Sequence, residues 1–140
     1  MKVGFVCSSF DLLHAGHILM LDECRSQCDK LIVGLQTDPT IDRPKTKNKP
    51  IQTMYERWIQ LVGCRYIDEI IPYETEADLM NVLKSVPINV RFAGEEYRDL
   101  DFTGKQWCLD NGINIIYNSR RHTFSTTELR KRIQNAKSKD

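Results

Sequence analysis

Val3-Gly4-Phe5-Val6-Cys7-Ser8-Ser9-Phe10-Asp11-Leu12-Leu13-His14-Ala15-Gly16-His17 is the stretch that decides the fold. An apolar run, Val3 to Cys7, passes through a short polar loop into a helical pattern, Ile18-Leu19-Met20-Leu21-Asp22-Glu23-Cys24. This reads as a strand, a tight loop and a helix start. Ligands of α/β sheets bind at the carboxyl ends of strands, and a helix start offers unpaired N–H groups to an anion. His14 and His17, three apart in a first helical turn, project to nearly the same side. Gly16 between them has no side chain, so a ligand can approach the backbone. The joint is predicted to hold a phosphate.

The chain outward from this joint alternates strands and helices. Lys2 to Cys7 is expected as a first strand, apolar as buried parallel strands are. A helix is expected from Gly16 to about Cys28, with Leu13, His17, Met20, Leu21, Cys24 and Cys28 spaced by threes and fours. Lys30 to Gln36 is a second strand, and the β-helix-β order favours a right-handed parallel crossover. From Thr37 to Pro50 the chain is polar and basic, with Arg43, Lys45, Lys47 and Lys49 between prolines, and loops of this length tend to be functional. It reads either as a solvated surface loop or as a flap that closes over phosphates. Thr53-Met54-Tyr55-Glu56 has the form of a capping box for a helix to Val62. A strand is expected from Tyr66 to Ile71, ended by Pro72. Further helices are expected from Thr75 and near Thr103-Gly104-Lys105-Gln106, and strands at Asn89–Ala93 and Ile113–Tyr117. A last helix opens at Ser125-Thr126-Thr127-Glu128, with Leu129 and Ile133 as its apolar contacts. The pattern predicts one α/β domain over residues 1–140, three layers around a mostly parallel sheet of about five strands.

Composition narrows the function classes. With 140 residues, 28% charged, 41% hydrophobic and a net charge of +1, the chain reads as an ordinary globular domain. It has no global field for nucleic acid or a membrane surface, so an anion site must come from local placement. No apolar run approaches the ~20 residues that span a bilayer. Met1-Lys2-Val3 enters a strand directly, without signal-peptide character, and the five cysteines are an odd count. Reduced thiols and a cytoplasmic location are therefore expected. Cys24 and Cys28, four apart on one helix, read as small buried residues rather than metal ligands, because no second pair has zinc spacing.

Several phosphate fingerprints are absent. No G-x-G-x-x-G follows the first strand, there is no P-loop, and no Ser or Cys sits on a nucleophile elbow. The job falls to His14, Gly16 and His17. The stretch Ser9 to His17 resembles the [TS]-F-D-x-x-H-x-G-H signature of the H-x-G-H nucleotidyltransferase superfamily. Arg120-Arg121-His122-Thr123-Phe124-Ser125-Thr126-Thr127 is similar to its second signature, R-x-x-x-x-S-T-T. The likeness extends through the Glu56-Arg57 helix, residues 65–72 and the Gly94-Glu95-Glu96 turn. Within the superfamily the chain looks most like the glycerol-3-phosphate cytidylyltransferases.

That resemblance implies a Rossmann-like α/β/α sandwich and transfer of CMP from CTP to a small alcohol phosphate, glycerol 3-phosphate first among them. It also implies Mg²⁺ or another divalent cation accompanying the triphosphate, no metal held by the protein alone, and a homodimer without nucleic acid. It makes His14, His17, Lys45, Lys47 and Arg120 the catalytic set, with Lys49 an alternative in the loop's register. The implied nucleotide contacts are Ser8, Ser9, Phe10, Asp11, His14, Gly16, His17, Arg65, Gly94, Glu95, Arg120, Ser125, Thr126 and Thr127. The chemistry suits these types. The acceptor phosphate is already an anion and needs alignment rather than a base, while cationic and N–H donors neutralise charge on the departing pyrophosphate. Plainer readings stand beside these: Asp11 capping the loop, Ser125 with Glu128 as a helix cap, Arg57 and Arg65 as surface ion-pair partners, Glu95 following a turn.

Thr123 stands where the family has glycine and Phe124 where it has isoleucine, so the acceptor or base pocket differs. Glu95-Glu96 replaces Asp-Asp. The competing readings are an adenylyltransferase acting on a sugar phosphate or FMN, a catalytically silent nucleotide-binding module, and a thiol- or metal-binding protein.

Overall fold

The computed structural model describes residues 1–119, 122 and 124–136. Five strands form a single sheet: β1 (Val3–Ser8), β2 (Lys30–Gln36), β3 (Glu69–Tyr73), β4 (Val90–Gly94) and β5 (Asn114–Asn118). All four pairings are parallel, in the order β3-β2-β1-β4-β5. The helices are α1 (Ala15–Arg25), α2 (Met54–Val62), α3 (Glu76–Ser85), α4 (Lys105–Asp110) and α5 (Thr126–Asn135), with a 3-10 turn at Glu95–Tyr97.

Alternation along the strands builds a core on each face. Val6, Leu31, Val33, Leu35, Val90 and Phe92 pack with Leu21 of α1 and Leu61 of α2. Val3, Phe5, Ile32 and Tyr73 pack with Leu79 and Leu83 of α3 and Cys108 of α4. This is the expected Rossmann-like three-layer α/β sandwich. Strand order reverses between β1 and β4, and in such sheets the crevice beyond the strand ends at that reversal is where ligands bind. Both loops that carry the two histidine-bearing stretches lead into it.

The structure corrects three element boundaries. α1 ends at Arg25, where Ser26 takes over as C-cap, so Cys28 lies beyond the helix. Pro72 does not end β3 but sits within it, opposite Leu35. It is tolerated because β3 is an edge strand: Tyr73 O accepts from Thr37 N on the sheet side, so the alternate residue Pro72 points its missing N–H outward. β3 also begins at Glu69, later than Tyr66.

The basic loop is not a loose flap here. Asp38 makes an Asx turn with Thr40, and Arg43 ties back to Pro39. The Arg43 guanidinium meets Glu76 at 2.5 Å, and Asp42 accepts from Glu76 N at 2.8 Å, docking the loop on the start of α3. Among the described residues, no helix is long and apolar enough to cross a membrane.

Candidate active site

The two histidines do more than face a ligand. His14 is the N-cap of α1, and its Nδ1 accepts the Gly16 N–H at 3.0 Å. His17 Nδ1 accepts the His14 N–H at 3.2 Å. The pair forms a capping box in which imidazoles replace the usual hydroxyl and carboxylate. With both Nδ1 atoms spent as acceptors, each neutral ring carries its proton on Nε2 and presents an N–H donor. Burial lowers the His17 pKa to about 4, helped by the neighbouring His14 ring and opposed by Asp11. His17 is therefore a neutral donor at physiological pH, a point that sequence left open.

The rings lie 4.0 Å apart, and His14 Nε2 meets Thr126 Oγ1 at 3.2 Å. That contact brings the N-termini of α1 and α5 together at one spot. Gly16 is required by the imidazoles themselves: a Cβ there would sit 2.8 Å from His14 Cε1 and 2.9 Å from His122 Cε1. A cavity of about 880 Å³ opens over the strand ends beside them, taking in Ser8, Ser9, His14, Gly16 and His17. Ser125 and Thr126 line it from α5, and Lys47 and Gly94 from their loops.

Other expected site residues are placed differently. Phe10 is 1% exposed and belongs to the core, buttressing the His17 ring at 5.6 Å. Its φ of 48°, like the 52° of Leu12, is the left-handed conformation that favours glycine, so the loop between β1 and α1 is held in a costly shape. Asp11 is the bracket that holds it. Its carboxylate accepts from Ile51 N at 2.8 Å and Gln52 N at 2.9 Å and pairs with Arg130 of α5 at 3.2 Å. Asp11 thus fixes the histidine loop to α2 and α5 and has little capacity left for a nucleotide.

Glu95 is exposed and bound to Arg98 through two hydrogen bonds of 2.7 and 2.9 Å, which hold its pKa down. The 3-10 turn brings Glu96, not Glu95, to the cavity. Thr127 is exposed, Arg65 is exposed with its guanidinium over the Tyr66 ring, and neither lines the cavity. Ser125 Oγ caps α5 by accepting Glu128 N at 3.0 Å, and its residue also lines the cavity. Lys47 reaches the cavity and Lys45 does not. Arg120 lies outside the described residues.

Sequence reasoning missed His122, which stacks at 5.4 Å on Phe124, the residue expected to reshape the pocket, on the cavity wall. His122 Nδ1 accepts Phe124 N at 3.1 Å, the same backbone-bound arrangement as the other two imidazoles. A third histidine inside the second motif was the available signal. Arg57 was also misjudged. It is 2% exposed, and it donates to four carbonyls, Ser9, Gln36, Thr37 and Gln52, clamping the ends of β1 and β2 to the start of α2.

Cys24 and Cys28 are buried free thiols. Burial pushes Cys24 up to about 12, against the opposing donation of Asn118 Nδ2 to its sulfur at 3.2 Å, so it stays protonated and structural. The described residues contain no cluster of three metal-ligating side chains.

Comparison with known proteins agrees with this geometry. The family model described as cytidylyltransferase-like matches residues 5–132. A bifunctional protein HldE from Nitrobacter hamburgensis is 31% identical over 132 residues, 94% of this chain and 27% of that protein. Another, from Granulibacter bethesdensis, is 36% identical over 104 residues, 74% of this chain and 21% of that protein. The chain therefore spans about a quarter of the length of these relatives. A solved lipopolysaccharide core biosynthesis protein from Thermoplasma volcanium superposes with a TM-score of 0.68 at 23% identity, covering 89% of this chain and 99% of that one. At that identity the likeness speaks for the fold.

Proposed function

This chain belongs to the cytidylyltransferase-like nucleotidyltransferase family, and from that premise we propose that it transfers a nucleoside monophosphate from a nucleoside triphosphate to the phosphate of a small polyhydroxylated compound. The single observation that carries this is the meeting of the two helix starts at the stacked His14 and His17 rings, with His14 Nε2 3.2 Å from Thr126 Oγ1. Two helix starts and two imidazoles make a site rich in donors, which suits a reaction whose nucleophile is already an anion.

In this reading the triphosphate lies across the imidazoles, with its β- and γ-phosphates at Ser125 and Thr126 and Lys47 over them. An oxygen of the acceptor phosphate forms a bond to the α-phosphorus. The bond from that phosphorus to the bridging oxygen breaks, and the electron pair leaves with pyrophosphate. No proton has to move. His14 and His17 donate to the charge that gathers as the bond breaks. Mg²⁺ binds phosphate oxygens and water with few protein ligands, so it would ride on the triphosphate rather than in a cage of side chains. Glu23, Glu76, Glu96 and Asp101 are the carboxylates on the cavity wall.

CMP transfer to glycerol 3-phosphate is the specific form that the signature residues favour. A second form, AMP transfer to a sugar phosphate, is favoured by the relatives being HldE proteins. We also propose a homodimer, because α2 presents Tyr55, Trp58, Ile59 and Val62 to solvent along one face.

The experiment supplies Mg²⁺ with CTP or ATP, paired with glycerol 3-phosphate or an aldose 1-phosphate, and follows pyrophosphate. Release with CTP and glycerol 3-phosphate supports the first form, and release with ATP and the sugar phosphate alone replaces it by the second. No release with any pair rejects the proposed reaction.

A further inference from the structure

Arg91 stands where the strand pattern demands an apolar residue. Its neighbours Val90 and Phe92 are buried on the α1–α2 side of the sheet. Arg91 points to the other side, level with Phe5 and against Cys108, and is 5% exposed. Its guanidinium donates to the Thr103 carbonyl, lies 4.8 Å from the centre of the Phe102 ring and reaches within 3.9 Å of Cys7 Sγ. Among the described residues no carboxylate pairs with it. A guanidinium stays charged when buried, and a buried charge is costly unless an anion meets it.

The missing anion has a place to come from, because Arg91 opens on the cavity. It is level with Phe5 on β1, and its guanidinium beside Cys7 lies just beneath Ser8 and Ser9 at the strand end. The cavity therefore has a second lobe, on the α3–α4 side of the sheet, away from the imidazoles and α5. Tyr73, Gln36 and Glu76 line that lobe, where the Gln36 amide donates to Glu74 O and accepts from Arg43, which also pairs with one oxygen of Glu76. Gly34 lets Tyr73 lean in, since a Cβ there would sit 3.0 Å from Cys7 Cβ and 3.2 Å from Tyr73 Cε1.

Resting on the nucleotidyl-transfer reading above, we propose that this lobe is the acceptor seat. Arg91 binds the acceptor's phosphate monoester from below, and Tyr73 and Glu76 hydrogen-bond the hydroxyl groups of its body. The mixture of donors and acceptors selects a polyhydroxylated phosphate and rejects a cationic alcohol phosphate, whose ammonium would face the Arg43 and Arg91 side chains. The serines at the end of β1 separate the two lobes, so a phosphate on Arg91 lies on the opposite side of the reacting centre from the pyrophosphate site of α5, as in-line displacement needs.

The test compares the wild type with Arg91→Gln, which keeps a donor for the Thr103 carbonyl, and Arg91→Lys, which keeps the charge. Wild-type turnover is first established with glycerol 3-phosphate or an aldose 1-phosphate. Removing a charged hydrogen-bond donor is expected to raise the acceptor KM by about tenfold or more. The KM for the triphosphate should stay unchanged, and Arg91→Lys should recover part of the loss. An unchanged acceptor KM, or an equal rise in both KM values, overturns the assignment. A wild type that releases no pyrophosphate with any acceptor brings down the underlying reading instead, so the two failures are distinguishable. Should Arg91→Gln not fold, the wild-type protein supplies a second readout. Cys7 is half-buried in this lobe while the other four cysteines are buried. Iodoacetamide labelling of Cys7, followed by mass spectrometry, should be slowed by the acceptor and not by its dephosphorylated counterpart. Equal labelling with both overturns the proposal.

Discussion

His17 binds a backbone N–H through Nδ1, so protonating that nitrogen would break the cap of α1 as well as bury a charge. Its pKa of about 4 in the folded chain lies below the ordinary value near 6.5. Between those values the unfolded chain binds the extra proton and the folded one does not. The stability that His17 contributes is thus complete above pH 6.5 and is lost as pH falls towards 4. Thermal melts from pH 7 to 4.5 should show a steeper loss in the wild type than in His17→Asn, whose amide oxygen can still cap but does not titrate; equal slopes would discard the neutral-imidazole account. His17→Ala removes both the cap and the donor. It should cost roughly 1 kcal/mol of stability, read by denaturant melts, and turnover should drop by a factor of about 100 or more. A variant with wild-type turnover would remove His17 from the chemistry. Lys47 and Lys45 give a paired prediction at the same scale. Lys47→Ala should raise the triphosphate KM or lower kcat about tenfold, while Lys45→Ala changes either by less than about twofold; steady-state kinetics read both.

At the scale of elements, two buried charged side chains hold the site's loops. Asp11 joins the histidine loop to the entry of α2 and, through Arg130, to the helix whose start faces His14. Asp11 is buried and accepts two backbone N–H bonds, and leaving such donors unpaired typically costs about 1–3 kcal/mol. Asp11→Ala should therefore lower stability by about that much and weaken triphosphate binding, because α1 and α5 lose their common anchor. Calorimetric unfolding and nucleotide titration check the two halves, and an unaffected nucleotide affinity would make the bracket purely structural. Much of this scale was legible in the sequence and part was not. Strands buried on both faces announced themselves as apolar runs, and the capping boxes at Thr53 and Thr75 marked real helix starts. Pro72 was misread because whether a proline breaks a strand depends on which strand lies at the edge, which is a tertiary fact. Arg57 looked like a surface ion-pair partner and Arg91 drew no reading of its own, since nothing local reveals that four carbonyls, or an aromatic ring and a cavity, await them. Glu95 and Glu96 were interchangeable until a 3-10 turn sent one to Arg98 and the other to the cavity.

For the whole molecule, the sheet order explains why two short motifs more than 100 residues apart form one site. The chain winds from β1 out to β3, returns across the sheet to β4 and ends on β5, so the loops after β1 and β5 flank the same crevice. The exposed face of α2 belongs to this scale as well. Trp58→Glu places a charge in the middle of that face and should shift the sedimentation coefficient from dimer to monomer; a wild type that already sediments as a monomer would withdraw the dimer. The account as a whole stands on one reaction, the joining of two phosphates with loss of pyrophosphate. Phosphorus NMR of the protein with Mg²⁺, CTP or ATP, and an acceptor phosphate measures it directly. The account predicts that the acceptor's monoester signal gives way to two mutually coupled diphosphate resonances as pyrophosphate appears in equal amount. Pyrophosphate accompanied by free nucleoside monophosphate, with the acceptor signal unchanged, would contradict it.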